Sequence, residues 1–137
     1  MGAVAGAVIG AGAARLTEAP SKTRVARGGE IINPKPGRWV DVAALTDLPE
    51  GQGFRVTAGA VGAFLFRRSD RVAGVSSVCS HMPCELNWEA GQAVLRCPCH
   101  PWDFTPDGRS TATASPLPNL NTVMVRVENG RILVKGT

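Results

Sequence analysis

From Trp39 onward the chain is written in short runs that alternate apolar and polar residues, the period of a half-buried strand rather than of a helix. "WVDVA" (39–43) alternates, "LPEGQG" (48–53) supplies a turn, and "FRVTA" (54–58) alternates again. "VGAFLF" (61–66) is a continuous apolar run that reads as a buried strand, and "RRSD" (67–70) turns the chain into "RVAGVS" (71–76). Further on, "TPDGRS" (105–110) reads as a tight turn, and the prolines of "SPLPNL" (115–120) exclude regular structure there. "TVMVRVENGRILV" (122–134) is a pair of β-rich runs joined by Asn129-Gly130, a dipeptide that favours a two-residue hairpin turn because both positions tolerate positive φ. There is no internal repeat, and no helix of ordinary length is expected after residue 15. The pattern predicts an all-β domain of short antiparallel strands.

Upstream the pattern breaks down. "RLTEAPSKTRVARGGEIINPKPG" (15–37) mixes charges, Pro and Gly without a period and reads as a linker, with a short strand at Glu30–Ile32. The preceding "MGAVAGAVIGAGAA" (1–14) carries no charge, yet a bilayer-spanning helix needs about 20 apolar residues. It also lacks the basic start of a secretory signal. Three readings stay open: part of a membrane anchor, a small-residue helix packing through Gly2, Gly6 and Gly10, or a frayed tail. The expected organisation is an apolar segment 1–14, a linker 15–37 and one domain over 38–137.

Composition changes this picture little. A chain of 137 residues with 44% hydrophobic content can bury a core without staples, and Gly 16 with Pro 10 suits many turns. The net charge of +4, from 15 basic and 11 acidic residues, forms no stripe interleaved with aromatics, which argues against nucleic-acid binding.

The candidate chemistry is concentrated in one stretch. All four cysteines and both histidines of the chain fall between Cys79 and His100. The spacing is Cys79-x-His81, fifteen intervening residues, then Cys97-x-x-His100, with Cys84 and Cys99 beside the two pairs. Two cysteines and two histidines could hold tetrahedral zinc. However, the one-residue gap between Cys79 and His81 is tighter than the usual zinc-ligand spacing, and that arrangement leaves Cys84 and Cys99 without a role.

The paired motifs resemble those of the Rieske [2Fe–2S] proteins, C-x-H followed by C-x-x-H. More narrowly, "CSHMPC" (79–84) and "CPCH" (97–100) are similar to the subfamily of cytochrome bc and bf complexes, in which each cluster loop carries one extra cysteine. The resemblance runs over about residues 39 to 134. It implies a Rieske-type antiparallel β sandwich with a small cluster-binding subdomain, about 76–108. It also implies one [2Fe–2S] cluster, with Cys79 and Cys97 on one iron, His81 and His100 on the other, and a Cys84–Cys99 disulfide clamping the loops. "SPLP" (115–118) sits where the family has a proline-rich third loop, with Ser115 in place of the usual Gly. Met82, Pro83, Pro101 and Pro116 would shield the cluster flanks.

Replacing two thiolates by neutral imidazoles removes negative charge from the cluster and raises its potential by hundreds of millivolts, from about −400 mV to a range of about −150 to +300 mV. The imidazoles also offer an outer nitrogen for a proton, so His81 and His100 would dock quinol and couple proton to electron transfer. High-potential members of the subfamily follow "CPCH" with G-S-x-Y, whose two hydroxyls hydrogen-bond to cluster sulfurs. Here the positions read Pro101, Trp102, Asp103 and Phe104, and the chain contains no Tyr. The expected centre is therefore of low potential, suited to menaquinol.

The function implied is one-electron transfer as the iron–sulfur subunit of a quinol:cytochrome c oxidoreductase, with cytochrome b-type and cytochrome c-type partners and any enzymatic activity belonging to the assembly. The implied setting is the extracytoplasmic, periplasmic face of a membrane, with export and membrane association through the N-terminus or the complex. Disulfides persist in such oxidising compartments. Two alternatives remain. One is the small Rieske subunit of a periplasmic molybdenum oxidase such as arsenite oxidase. The other is a Rieske ferredoxin or oxygenase component, which "HPWDF" (100–104) favours and the extra cysteines oppose.

Overall fold

The structure, a computed structural model, describes residues 29–111 and 118–137. The apolar segment 1–14, residues 15–28 of the expected linker, and Ser115 and Pro116 of the proline-rich loop lie outside the described residues. Within them the chain forms β1 (Ile31–Ile32), β2 (Arg38–Ala44), β3 (Phe54–Ala58), β4 (Val61–Arg68), β5 (Arg71–Ser76), β6 (Asn87–Glu89), β7 (Val94–Arg96), β8 (Asp103–Phe104), β9 (Thr122–Val123), β10 (Val125–Glu128) and β11 (Arg131–Gly136). The helical content of the described residues is one 3-10 turn, Leu45–Asp47. None of their helices is long and apolar enough to cross a membrane.

Two sheets make the sandwich and a third makes the tip. The first has the order β1-β9-β5-β4-β3 and the second β10-β11-β2. All pairings are antiparallel except the two-residue contact of β1 with β9, where Ile31 lies beside Thr122. Between the two sheets lies an apolar core that includes Leu48, Val56, Leu65, Val72, Val123, Val125, Ile132 and Val134.

β4 explains why "VGAFLF" lacks alternation. Successive side chains of a strand point to opposite faces. Ala63 and Leu65 enter the sandwich core, while Phe64 and Phe66 enter a second apolar cluster that includes Cys79 and Cys97 of the candidate ligand loops. A strand covered on both faces has no reason to alternate. On the neighbouring β5, Gly74 permits a close approach: a Cβ built there would stand 2.6 Å from Val123 Cγ2 and 2.7 Å from Leu65 Cδ2.

The last hairpin forms as its dipeptide predicts, with Asn129 at φ 50° and Gly130 at φ 74°. The preceding run is divided, however. Thr122–Val123 pairs in the first sheet and Val125–Glu128 in the second, so the chain changes sheets at Met124 and turns a corner of the sandwich.

The third sheet, β6-β7-β8, was not expected from the pattern. Its strands of three, three and two residues are too short to display a period. It carries the second loop of candidate ligands, between β7 and β8. β6 packs back on the sandwich through Trp88, whose ring meets Phe66 edge-on at 5.1 Å and whose Nε1–H donates to Gln52 Oε1 at 3.2 Å.

Candidate metal centre

Two loops of like construction carry every candidate ligand. The first leaves β5 and returns at β6. Leu86 N–H donates to Ser77 O at 2.8 Å, Val78 bridges Glu85, and Cys79 N–H donates to Cys84 O at 2.9 Å. The second leaves β7 and returns at β8, and Cys97 N–H donates to Trp102 O at 2.9 Å. In both, the first cysteine's N–H reaches a carbonyl five positions on (79 to 84, 97 to 102), which curls the loop so that its tip residues face the other loop. Arg96 and Asp103, opposite one another on β7 and β8, close the neck of the second loop with a fork of hydrogen bonds at 2.9 and 3.0 Å. Sequence reading missed this pair. Its only signal is two opposite charges flanking the motif.

The Cys84–Cys99 disulfide joins the two loops, with its Cα atoms 6.5 Å apart. Cys79 and Cys97 are free and buried, and both belong to the apolar cluster formed with Phe64, Leu86, Leu95 and Phe104. Burial pushes the Cys79 thiol up, while the backbone N–H groups of His81 and Met82 at its sulfur pull the other way. A buried thiolate is costly without a positive partner, whereas a metal ion removes that cost and the N–H groups share the remaining charge.

The histidines stand at the tip, His81 exposed and His100 half-buried. Their ring centroids are 4.9 Å apart and nearly perpendicular at 86°. His100 Nδ1 is buried and has no hydrogen-bond partner. An orphaned ring nitrogen pays its desolvation without return, unless a metal occupies that direction. Two buried thiols and an orphaned inward imidazole nitrogen are what an iron–sulfur group bound by Cys and His requires. The residues fit it.

Trp102 completes the tip. Its ring stacks on His100 at 4.6 Å and 21°, and meets His81 edge-on at 4.6 Å. Sequence reading singled out this position for the hydroxyl it lacks, and the contact with both imidazoles was not foreseen. Phe104 is fully buried in the cluster that holds Cys79 and Cys97, with no hydroxyl to offer them. The described end of the proline-rich loop meets the first ligand loop where Ser80 Oγ donates to Pro118 O at 2.6 Å.

A β sandwich bearing two disulfide-linked loops, each with one buried thiol and one imidazole at its tip, defines an iron–sulfur domain of the thiolate–imidazole class. The model of the Rieske [2Fe–2S] domain matches residues 38–129, and the chain belongs to this family, whose cofactor is a single [2Fe–2S] cluster.

The chain is similar to the iron–sulfur subunit of the cytochrome b6-f complex of Chlorobaculum tepidum, with 29% identity over 93 residues, covering 68% of this chain and 51% of that one. It is likewise similar to iron–sulfur subunit 1 of the same complex in Synechocystis sp. PCC 6803, with 29% identity over 121 residues, covering 84% and 66%. The chain thus spans only part of these relatives, about half of the first. Among solved structures, the cyanobacterial plasma membrane Rieske protein PetC3 from Synechocystis PCC 6803 shares the fold, with a TM-score of 0.61 at 24% identity, covering 71% of this chain and 99% of that one. The ferredoxin of carbazole 1,9a-dioxygenase from Nocardioides aromaticivorans IC177 superposes with a TM-score of 0.54 at 28% identity, covering 70% and 95%.

Proposed function

We propose that this domain carries single electrons as the iron–sulfur subunit of a membrane quinol-oxidising complex with cytochrome b-type and c-type partners. In this reading Cys79 and Cys97 hold one iron and His81 and His100 the other. The bound cluster supplies a one-electron couple. The observation that carries the reading is the pairing of buried free thiols with two tip imidazoles across a disulfide-clamped pair of loops. The cytochrome b6-f subunits among its relatives support the same assignment.

The tip is suited to docking. Met82, 45% exposed, and exposed Pro83 follow His81 in the first loop, and exposed Pro101 follows His100 in the second, so each imidazole that a quinol would meet has exposed apolar neighbours in its own loop. With Nδ1 of His100 turned inward, Nε2 is the atom left to accept a quinol proton. The disulfide supports residence on the extracytoplasmic side.

The centre is of low potential, of the menaquinol type. Pro101 has no N–H to donate, Trp102 N–H is taken by His100 O at 2.8 Å, and the chain has no Tyr. Hydrogen bonds to charged groups are worth about 1.5–3 kcal/mol each. Lacking two of them lowers a one-electron potential by up to roughly 130–260 mV, less whatever water restores. Purification of the native assembly from membranes tests the assignment. Co-purifying b- and c-type haem spectra support it. A molybdenum cofactor in their place would transfer the domain to a periplasmic oxidase.

A further inference from the structure

The sheet β10-β11-β2 has two unlike faces. Val40, Val42, Val125, Ile132 and Val134 turn inward to the sandwich core, so the alternate residues Trp39, Arg126, Leu133 and Lys135 turn outward. The candidate metal centre lies on the other side of the sandwich, where Phe64 and Phe66 of β4 meet Cys79 and Cys97. On the outer face, basic side chains gather around one tryptophan. Lys135 stands opposite Trp39 across β11 and β2, and the Arg126 guanidinium lies over the Trp39 ring, 4.3 Å from its centroid. A Cβ at Gly37 would stand 3.2 Å from Lys135 Cε, so Lys135 reaches the turn that carries Lys35 and leads into exposed Arg38. Lys35, Arg38 and Lys135 have no acidic partner among the described residues, whereas Arg126 pairs with Glu128 and Arg131 with Asp41. This face and its rim thus hold five basic residues against two acidic ones. The rest of the described residues hold six against eight, so the positive charge is concentrated here.

We propose that this face docks on a membrane surface of anionic lipid headgroups, with Lys35, Arg38 and Lys135 against the phosphates and Trp39 at headgroup level. Unpaired cations on one face meet a negative plane at little desolvation cost, because their long stems lie along the sheet while the charged ends stay in water. Two observations favour lipid over an acidic protein. A tryptophan at the centre of the cations suits the headgroup boundary, which is apolar on one side and wet on the other. The chain also feeds into this face from a stretch of the same sign: Arg15, Lys22, Arg24 and Arg27 against Glu18, behind the uncharged run 1–14. From there β1 leads directly to the turn at Lys35. Docking by this face leaves both imidazoles of the tip uncovered, so it does not compete with the redox partners of the proposed function.

Fluorescence of the full-length chain with lipid vesicles tests this on Trp39 itself, whatever holds the rest of the chain. The Trp39 share of the emission is the difference from a Trp39→Phe variant. Vesicles of phosphatidylglycerol and phosphatidylcholine with a nitroxide on the headgroup should quench it, and labelled vesicles of phosphatidylcholine alone should not. Each basic side chain at an anionic surface is worth roughly fivefold in partitioning, so Lys35→Gln/Arg38→Gln/Lys135→Gln should raise the lipid concentration for half-quenching at least tenfold. Arg68→Gln/Arg71→Gln/Arg109→Gln removes the same charge from exposed residues elsewhere and should shift it no more than about twofold, because distant charges are screened. No quenching on anionic vesicles overturns the proposal. So does equal quenching on neutral ones, survival in the first triple variant, or an equal loss in both. Poly-glutamate that shields Trp39 while vesicles leave it untouched would assign the face to an acidic protein instead. The iron–sulfur EPR signal should be the same in every variant, so a failure here is distinct from a failure of the cluster reading.

Discussion

In the sandwich, β2–β5 and β9–β11 close on Leu48, Val56, Leu65, Val72, Val123, Ile132 and Val134, all fully or almost fully buried, and two-residue turns such as Asn129-Gly130 set the register. At the tip, β6–β8 are two or three residues long, Met82 and the prolines beside it face outward, and His100 Nδ1 is buried without a partner. What joins the two tip loops is a covalent bond, and what closes the neck of one is an ion pair. The sandwich is ordered by apolar burial spread over many side chains. The tip depends on a few strong, specific links, to which the ligand bonds of a bound cluster would add. The two regions should therefore fail separately.

The largest effect is expected at the tip. His81→Ala or His100→Ala should abolish the Rieske EPR signal outright, while circular dichroism and thermal unfolding still report a folded sandwich. Leu65→Ala should invert that pattern. Removing a fully buried leucine from the sandwich core costs about 2–5 kcal/mol of stability in denaturant unfolding, and the spectrum of protein that remains folded should not change.

Cys84→Ser comes next. The bond spans a sequence separation of 15, and cross-links closing loops of this size contribute about 3 kcal/mol at most in the chain-entropy picture. The cluster should be lost faster, as followed by visible absorbance, with the sandwich still folded. Phe104→Tyr should raise the midpoint potential by several tens of millivolts in film voltammetry, because the ring packs with Cys79 and Cys97 and its new hydroxyl can donate to a sulfur. An unchanged midpoint would mean that the missing hydroxyl does not set the potential.

The smallest effect belongs to the sandwich surface. Hydrogen bonds from Arg131, on β11, hold the Asp41 carboxyl on β2 below the usual carboxylate range. A depressed folded value stabilises the protein above the unfolded value of about 3.9, and the contribution disappears as pH falls through the folded one. Asp41→Asn should therefore flatten the loss of stability below about pH 4 and leave the neutral-pH spectrum of the tip untouched.

Legibility in the sequence follows the same division. β3 and β5 form over the runs read for them, and β2 and β4 extend theirs by one or two residues at the ends, because five or more residues suffice to show a period or a buried run. β6–β8 were not legible, since two- and three-residue strands carry no period and are held by pairing across the motif. The switch of sheets at Met124 was equally silent, because both halves of "TVMVRV" are apolar enough for either sheet. At the tip the motif spacing named the loops and, by resemblance, the disulfide. The Trp102 stack and the Arg96–Asp103 fork arise from how the second loop curls, which spacing does not encode.

The central claim is that two thiolates and two imidazoles of these loops divide the irons of one cluster. Pulsed EPR of the dithionite-reduced, disulfide-intact, full-length protein tests it most directly. The protein should give a rhombic Rieske signal with strong hyperfine coupling to two nitrogens, and either histidine variant should lack it. A [2Fe–2S] signal without strong nitrogen coupling, or an EPR-silent protein carrying stoichiometric zinc, would contradict the assignment of Cys79, His81, Cys97 and His100.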